Sequence, residues 1–270
     1  MASVFGENIK ISIFGQSHSR GIGVCIDGIP AGEKIDPDQL KEFMDRRAPG
    51  RNEYSTPRKE ADRPEILSGL VGDTTCGAPF AAVIYNTDTR SGDYSDMRDI
   101  PRPAHADFAA RAKFHGYEDT AGGGHFSARL TAPLCIAGGI FKQLLSRRGI
   151  EIGAHISSIG GIEDKRFNSC GGSEELERIG KPFPVIDEEA GAKMRELIQR
   201  VKAEGDSVGG RIECMITGLP AGIGDPMFDG LENRISQAVF AVPAVKGIEF
   251  GCGFDVCSMR GFENNDPFYA

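Results

Sequence analysis

Apolar and polar positions alternate with a period of two over residues 9–14 and again over 22–27, with a polar turn between them, Gly15-Gln-Ser-His-Ser-Arg-Gly21. This pattern predicts an antiparallel hairpin that carries Ser17, His18 and Arg20 at its tip. Gly28-Ile-Pro-Ala-Gly32 closes the unit, and Asp36-Pro37 predicts a capped helix running through Leu40 and Phe43 to Arg46-Arg47. Residues 65–71 and 80–85 read as strands either side of a turn over 72–79, and a helix is expected over 105–113 after Pro103. Between 130 and 148 the apolar residues Leu130, Leu134, Ile136, Ala137, Ile140, Phe141, Leu144 and Leu145 recur on more than one face. That predicts a buried helix, with Ala132, Ala137, Gly138 and Gly139 allowing neighbours to approach. Residues 151–162 read as glycine-interrupted strand, 167–185 as loop, 187–204 as an amphipathic helix stopped by Gly205, and 242–251 as a strand flanked by glycines.

The order of elements occurs twice. Residues 211–217 form a strand pattern, Gly218-Leu-Pro-Ala-Gly222 repeats the earlier pentapeptide, and Asp225-Pro226 again precedes a helical stretch, 231–242. Strand, pentapeptide, Asp-Pro and helix in one order point to an α+β fold with an internal repeat.

Composition limits the choices. The net charge of −8 argues against a general nucleic-acid binder, so any anion site must be a local basic cluster. No apolar run reaches membrane-spanning length and residues 1–10 carry no signal-peptide core, which makes a cytoplasmic enzyme the expectation. The seven cysteines are scattered and form no Cys-x-x-Cys pair, which speaks against a disulfide framework or a zinc site. Local basic excess occurs over residues 46–63, where Arg46, Arg47, Arg51, Arg58, Lys59 and Arg63 face Glu53, Glu60 and Asp62. Gly122-Gly-Gly-His-Phe-Ser-Ala-Arg129 opens the buried helix: three residues without Cβ atoms, then Ser127 as a cap and Arg129 in the first turn. That end suits an anion, although a plain glycine turn feeding a core helix gives the same pattern. His18 on its turn and His105 at a helix start are placed for acid–base work, and His105-x-Asp107 also resembles a metal-ligand pair.

Taken together, Gly15-Gln-Ser-His-Ser, Asp27-Gly-Ile-Pro-Ala-Gly, Arg46-Arg47, Glu65-Ile-Leu-Ser-Gly-Leu, Asn86-Thr-Asp, Ser91-Gly-Asp-Tyr94, Arg102-Pro-Ala-His-Ala-Asp, Gly122-Gly-Gly-His-Phe-Ser-Ala-Arg129, Gly205-Asp-Ser, Ala244-Val-Lys-Gly-Ile-Glu and Gly253-Phe resemble chorismate synthase over essentially the whole chain. The resemblance implies a β-α-β sandwich with central helices between antiparallel sheets, a homotetramer, and reduced FMN as cofactor. It also implies a lyase: 1,4-anti elimination of phosphate from 5-enolpyruvylshikimate 3-phosphate, giving chorismate in aromatic amino-acid biosynthesis. On this basis His18 and His105 are the expected acids. Ser17, Arg46, Arg47, Arg102 and Arg129 are the expected substrate contacts, and His125, Phe126, Ser127, Pro243 and Ala244 the expected flavin contacts, with no metal. Reduced flavin would come through NADPH or from an external reductase.

Departures from the family pattern are Gln16 for Glu, Ser19 for Gly, Glu53 for Arg, and His125-Phe126 for Arg-Ser. The family continues beyond Ala270 with a glycine-rich flavin-contacting stretch and an Arg/Asp motif, so the expectation is one such domain over residues 1–270, truncated at its C-terminus. Two alternatives remain open on sequence: a non-catalytic flavin- or anion-binding relative, and a metal-dependent phosphoesterase built on His105 and Asp107.

Overall fold

The structure, a computed structural model, describes residues 3–50, 60–87, 100–167, 176, 182–265 and 267. The chain divides into two compact units, Met1–Leu219 and Pro220–Ala270. In the first, β1 (Val4–Phe5), β2 (Lys10–Gly15) and β3 (Gly21–Asp27) run antiparallel, and the β2–β3 hairpin pairs Lys10 with Asp27 through Gly15 with Ile22. Ile22, Val24 and Ile26 are wholly buried, as the alternation requires. The helix α1 (Pro37–Arg47) begins where Asp36 Oδ1 accepts from the backbone N–H groups of Asp38 and Gln39, at 2.9 and 3.1 Å.

The expected single strand over 65–71 is two. The break falls at Gly69, whose φ is +97 and where a Cβ would lie 2.5 Å from Phe80 Cα. This close crossing separates β4 (Glu65–Ser68), at the sheet edge, from β5 (Leu70–Val71), which leaves the sheet to pair with β6 (Thr74–Thr75). The strand β7 (Phe80–Tyr85) then pairs with both β3 and β4, completing a five-stranded sheet in the order β1-β2-β3-β7-β4.

The helix α2 (Asp107–Phe114) starts two residues later than the pattern suggests, leaving His105 outside it. A short 3-10 turn, Ala128–Leu130, leads into α3 (Thr131–Ser146). Ile136, Ile140 and Leu144 of α3 pack with Leu40 and Met44 of α1 over Ile22, Val24, Ile26, Phe80, Ala82 and Ile84 of the sheet. Gly139 sets the helix spacing, because a Cβ there would lie 2.8 Å from Leu40 Cδ1 and 3.1 Å from Phe43 Cδ1. Register is set by the buried amide of Gln143, which accepts from Asp36 N at 2.8 Å and donates to Asp36 O at 3.0 Å.

The second sheet consists of β8 (Glu151–Ile159), β9 (Ile162–Glu163) and β10 (Gly210–Thr217) in the order β10-β8-β9, all antiparallel. Between β9 and β10 lies α4 (Glu188–Ala203), capped by Asp187 and covering the stretch expected. Because α3 packs on β2, β3 and β7 of one sheet and on β8 of the other, a helical layer lies between two antiparallel sheets.

In the second unit, α5 (Leu231–Val239) leads into turns and then into a 3-10 segment, Gly253–Ser258. Two expectations fail here: the helix stops at Val239, and residues 242–251 form no strand. Residues 240–244 fold into turns that include Ala244 at φ +70, so the chain does not extend into a ladder. The repeated pentapeptide does have one shape, since Gly28 and Gly32 take φ of +87 and +89 and Gly218 and Gly222 take +75 and +90. The helices after the two copies start differently, for α1 is capped by Asp36 whereas α5 starts behind Gly230.

Candidate active site

The triple-glycine bend is sewn to the hairpin tip. Gly122, Gly123 and Gly124 take φ of +60, +94 and +52, a run that L side chains resist. Ser17, wholly buried, donates its N–H to Gly124 O and its hydroxyl to Ala121 O, both at 3.1 Å. A carbonyl can only accept, so the hydroxyl proton is committed, and His18 Nδ1–H donates to Ser17 Oγ at 3.0 Å. This fixes the tautomer and makes Nε2 the ring atom at which a proton is gained or given. The ring lies where Gly122 has no side chain: a Cβ there would be 2.0 Å from His18 Cε1.

The second imidazole stands against the next glycine. A Cβ on Gly123 would be 3.1 Å from both Cε1 and Nε2 of His105 and 3.4 Å from Arg102 Nη2. Ala104, at φ +58, turns the chain into this position. His105 Nδ1 donates to Asp107 Oδ1 at 2.5 Å. Asp107 also accepts from Arg102 N, Nε and Nη2 at 2.9, 2.8 and 2.8 Å. The Arg102 guanidinium, helped by His105 and working against partial burial, holds the Asp107 carboxyl well below the usual carboxylate range. An ionised Asp107 therefore orients the His105 ring through Nδ1 and leaves Nε2 as the atom turned to the bend.

A buried charge cluster adjoins the start of α3. Asp62, 2% exposed and at φ +46, bridges two guanidiniums: its Oδ1 accepts from Arg129 Nη1 and its Oδ2 from Arg47 Nη1. Arg129 Nε also donates to Asn86 Oδ1 at 3.2 Å and lies 2.7 Å from Glu60 Oε2. Arg47 Nη2 reaches Ala128 O at 3.4 Å and Thr131 Oγ1 at 3.3 Å. Asn86 ties this cluster to the histidine turn, donating from Nδ2 to Gln16 O at 3.1 Å and to Ser19 O at 2.8 Å.

The model of a family described as chorismate synthase matches residues 9–270. The chain belongs to the chorismate synthase family. Proteins named chorismate synthase are 47% identical in Lancefieldella parvula, over 99% of this chain and 74% of that protein, and 44% identical in Methanosarcina acetivorans, over 98% and 72%. A crystal structure of chorismate synthase superposes with a TM-score of 0.76 at 28% identity, covering 97% of this chain and 73% of that one.

Of the residues the family resemblance singles out, Ser17, His18, Arg102 and His105 meet at Gly122 and Gly123, and Arg47 and Arg129 meet at Asp62. Arg46 joins neither group. It stacks on Phe43, 5.1 Å from the ring centre, and lines a separate cleft between α1 and the C-terminal half of α3 with Lys142, whose pKa burial lowers. His125 is engaged at both ring nitrogens, Nδ1 with Gly15 O at 2.7 Å and Nε2 with Ser3 Oγ at 2.8 Å, so it fastens the glycine bend to the first sheet. Phe126 is 40% exposed beside Phe114. Ser127 Oγ accepts from Arg129 N at 3.2 Å. Pro243 and Ala244 lie in the second unit, in the turns after α5.

The family match does not favour the phosphoesterase alternative. Both Asp107 oxygens face the Arg102 cation, and no cluster among the described residues has the composition of a metal site. Glu53, Arg51 and Ser91-Gly-Asp-Tyr94 lie outside the described residues. Sequence reasoning missed Glu60, Asp62 and Asn86 as site residues. In the sequence the two acids are merely counter-charges on a basic loop; Asn86 opens a family motif, which is the one signal available for it.

Proposed function

We propose that this chain catalyses 1,4-anti elimination of phosphate from 5-enolpyruvylshikimate 3-phosphate to give chorismate, with reduced FMN as cofactor. The observation that carries the proposal is the meeting of two imidazoles on adjacent glycines, each with Nδ1 committed to a fixed acceptor. A phosphate leaving as its carbon–oxygen bond breaks is stabilised by a proton delivered in place, and a second donor fixes the protonation state around the flavin. His18 and His105 supply these two protons from Nε2. Arg47, Arg102 and Arg129 neutralise the substrate's phosphate and carboxylates, for which guanidiniums are suited by charge and fork geometry.

The feature that fits a flavin is the partly exposed ring of Phe126 beside the bend 122–124, where the space next to Gly122 and Gly123 is taken up by the His18 and His105 rings that would face the bound group. Phe126 and the backbone of the bend would hold the group. When bound, it supplies transient electron density to the allylic system. His125 contributes by anchoring the bend. Reduction by NADPH or by a separate reductase, assembly as a homotetramer and a cytoplasmic setting belong to the same reading; no helix among the described residues is long and apolar enough to cross a membrane.

The test is anaerobic incubation of the chain with reduced FMN and the enolpyruvyl substrate, with chorismate as the readout, for the wild type and for His18→Ala and His105→Ala. Turnover by the wild type is expected, with each variant slowed about a hundredfold or more while substrate affinity changes little. Equal losses of turnover and affinity would assign the imidazoles to the fold and defeat the proposal.

A further inference from the structure

We propose that Asp62 is the positioning residue of the anion site, an inference that rests on the reading of Arg47 and Arg129 as the groups that receive the substrate's anionic oxygens. Two guanidiniums side by side repel, and in a buried site that repulsion is poorly screened. The Asp62 side chain, wholly buried, lies between them and takes one N–H from each, so among the described residues it is the carboxylate that ties the two guanidiniums together, whereas Glu60 pairs with Arg129 alone. Further atoms of each fork are engaged elsewhere. Arg129 Nε donates to Asn86 Oδ1 and forms an ion pair with Glu60, and Arg47 Nη2 donates to Ala128 O and Thr131 Oγ1.

One donor remains. Arg129 Nη2 is buried, in a side chain only 4% exposed, and has no hydrogen-bond partner among the described residues. Leaving such a group without an acceptor is unfavourable, more so where it is charged, and proteins rarely keep one without a use. Asp62 also keeps a left-handed backbone at φ +46, a second local cost borne at the same residue. Both costs are accounted for if Asp62 holds Arg129 so that Nη2 meets an oxygen of the substrate's phosphate or carboxylate. Asp62 itself need not touch that ligand.

The sign of one mutation separates positioning from plain electrostatics. Asp62→Asn removes a negative charge beside two cations, which on charge alone tightens anion binding; loss of the bridge loosens it. Calorimetric titration of the full chain with 5-enolpyruvylshikimate 3-phosphate is expected to show binding weakened about tenfold by Asp62→Asn. Asp62→Glu keeps the charge but moves the carboxylate, and is expected to weaken binding to a similar extent. Unchanged or tighter binding in a folded Asp62→Asn protein overturns the proposal; if thermal melting shows that variant unfolded, Asp62→Glu decides in the same way. Arg129→Lys tests the underlying reading separately: unchanged affinity there shows that Arg129 holds no substrate oxygen and leaves Asp62 nothing to position.

Discussion

Asp107 shows how much a single side chain settles. Its two oxygens receive three N–H groups of Arg102 and the Nδ1–H of His105, so its carboxyl titrates well below its ordinary value of 3.8. A depressed folded-state pKa stabilises the protein in full above the unfolded value, and that stabilisation is lost as pH falls through the folded one. Urea titrations should therefore find stability steady at neutral pH and falling below about pH 4, with a shallower fall in Asp107→Asn. At pH 7 the same variant should lose turnover, because an amide no longer accepts from both Arg102 and His105 and the ring loses its fixed orientation; an unchanged acid limb together with full activity would remove Asp107 from both roles. The types of His18, His105 and Asp107 and their approximate places were legible in the sequence, since short motifs carry them. The partners were not, because Ser17 Oγ finds Ala121 O more than a hundred positions away.

At the scale of elements, the glycine bend and the β2–β3 hairpin act as one piece. Ser17 joins them through backbone and side chain, and His125 adds a third bond to Gly15. Gly122→Ala places a Cβ on the His18 ring and asks alanine to hold a φ of +60. The backbone penalty is about 1–2 kcal/mol. Displacement of His18 by an ångström or so should slow turnover about a hundredfold. Thermal melting beside anaerobic kinetics checks both; a variant with normal turnover would mean that His18 does not need its place against the bend. The sequence marks this loop as a region of Cβ-free backbone. It does not show that the missing side chains make room for two imidazoles of the protein itself.

At the scale of the whole molecule, the second sheet has a buried polar pin. His155, wholly buried on β8, places Nδ1 3.0 Å from Asp164 Oδ2 and Nε2 2.7 Å from Glu213 Oε2 on β10. Asp164 also accepts from the backbone N–H groups of Ile186 and Asp187 at the entrance to α4. His155→Ala takes one partner from each carboxylate, although Asp164 keeps its backbone donors and Glu213 keeps Phe167 N, and should cost about 1–3 kcal/mol, read as a lower urea midpoint. A loss under about 1 kcal/mol would show that the pin matters little. Substrate affinity of the folded variant should stay unchanged, because His155 takes no part in the site around Gly122.

Local order was settled by the sequence alone: the hairpin, the capped helices α1 and α4, the buried helix α3, the twice-used pentapeptide and the family. Each of these depends on neighbours in the chain, where periodicity, caps and positive-φ glycines act directly. Tertiary structure decided the rest. Strand 65–71 breaks because Gly69 crosses Phe80, Arg46 and Arg47 part company because adjacent residues on a helix point in different directions, and Glu60 and Asp62 become site residues because folding buries them with guanidiniums that must be paired. Charge pairing and close packing act through space, and no spacing along the chain encodes which distant groups will share it.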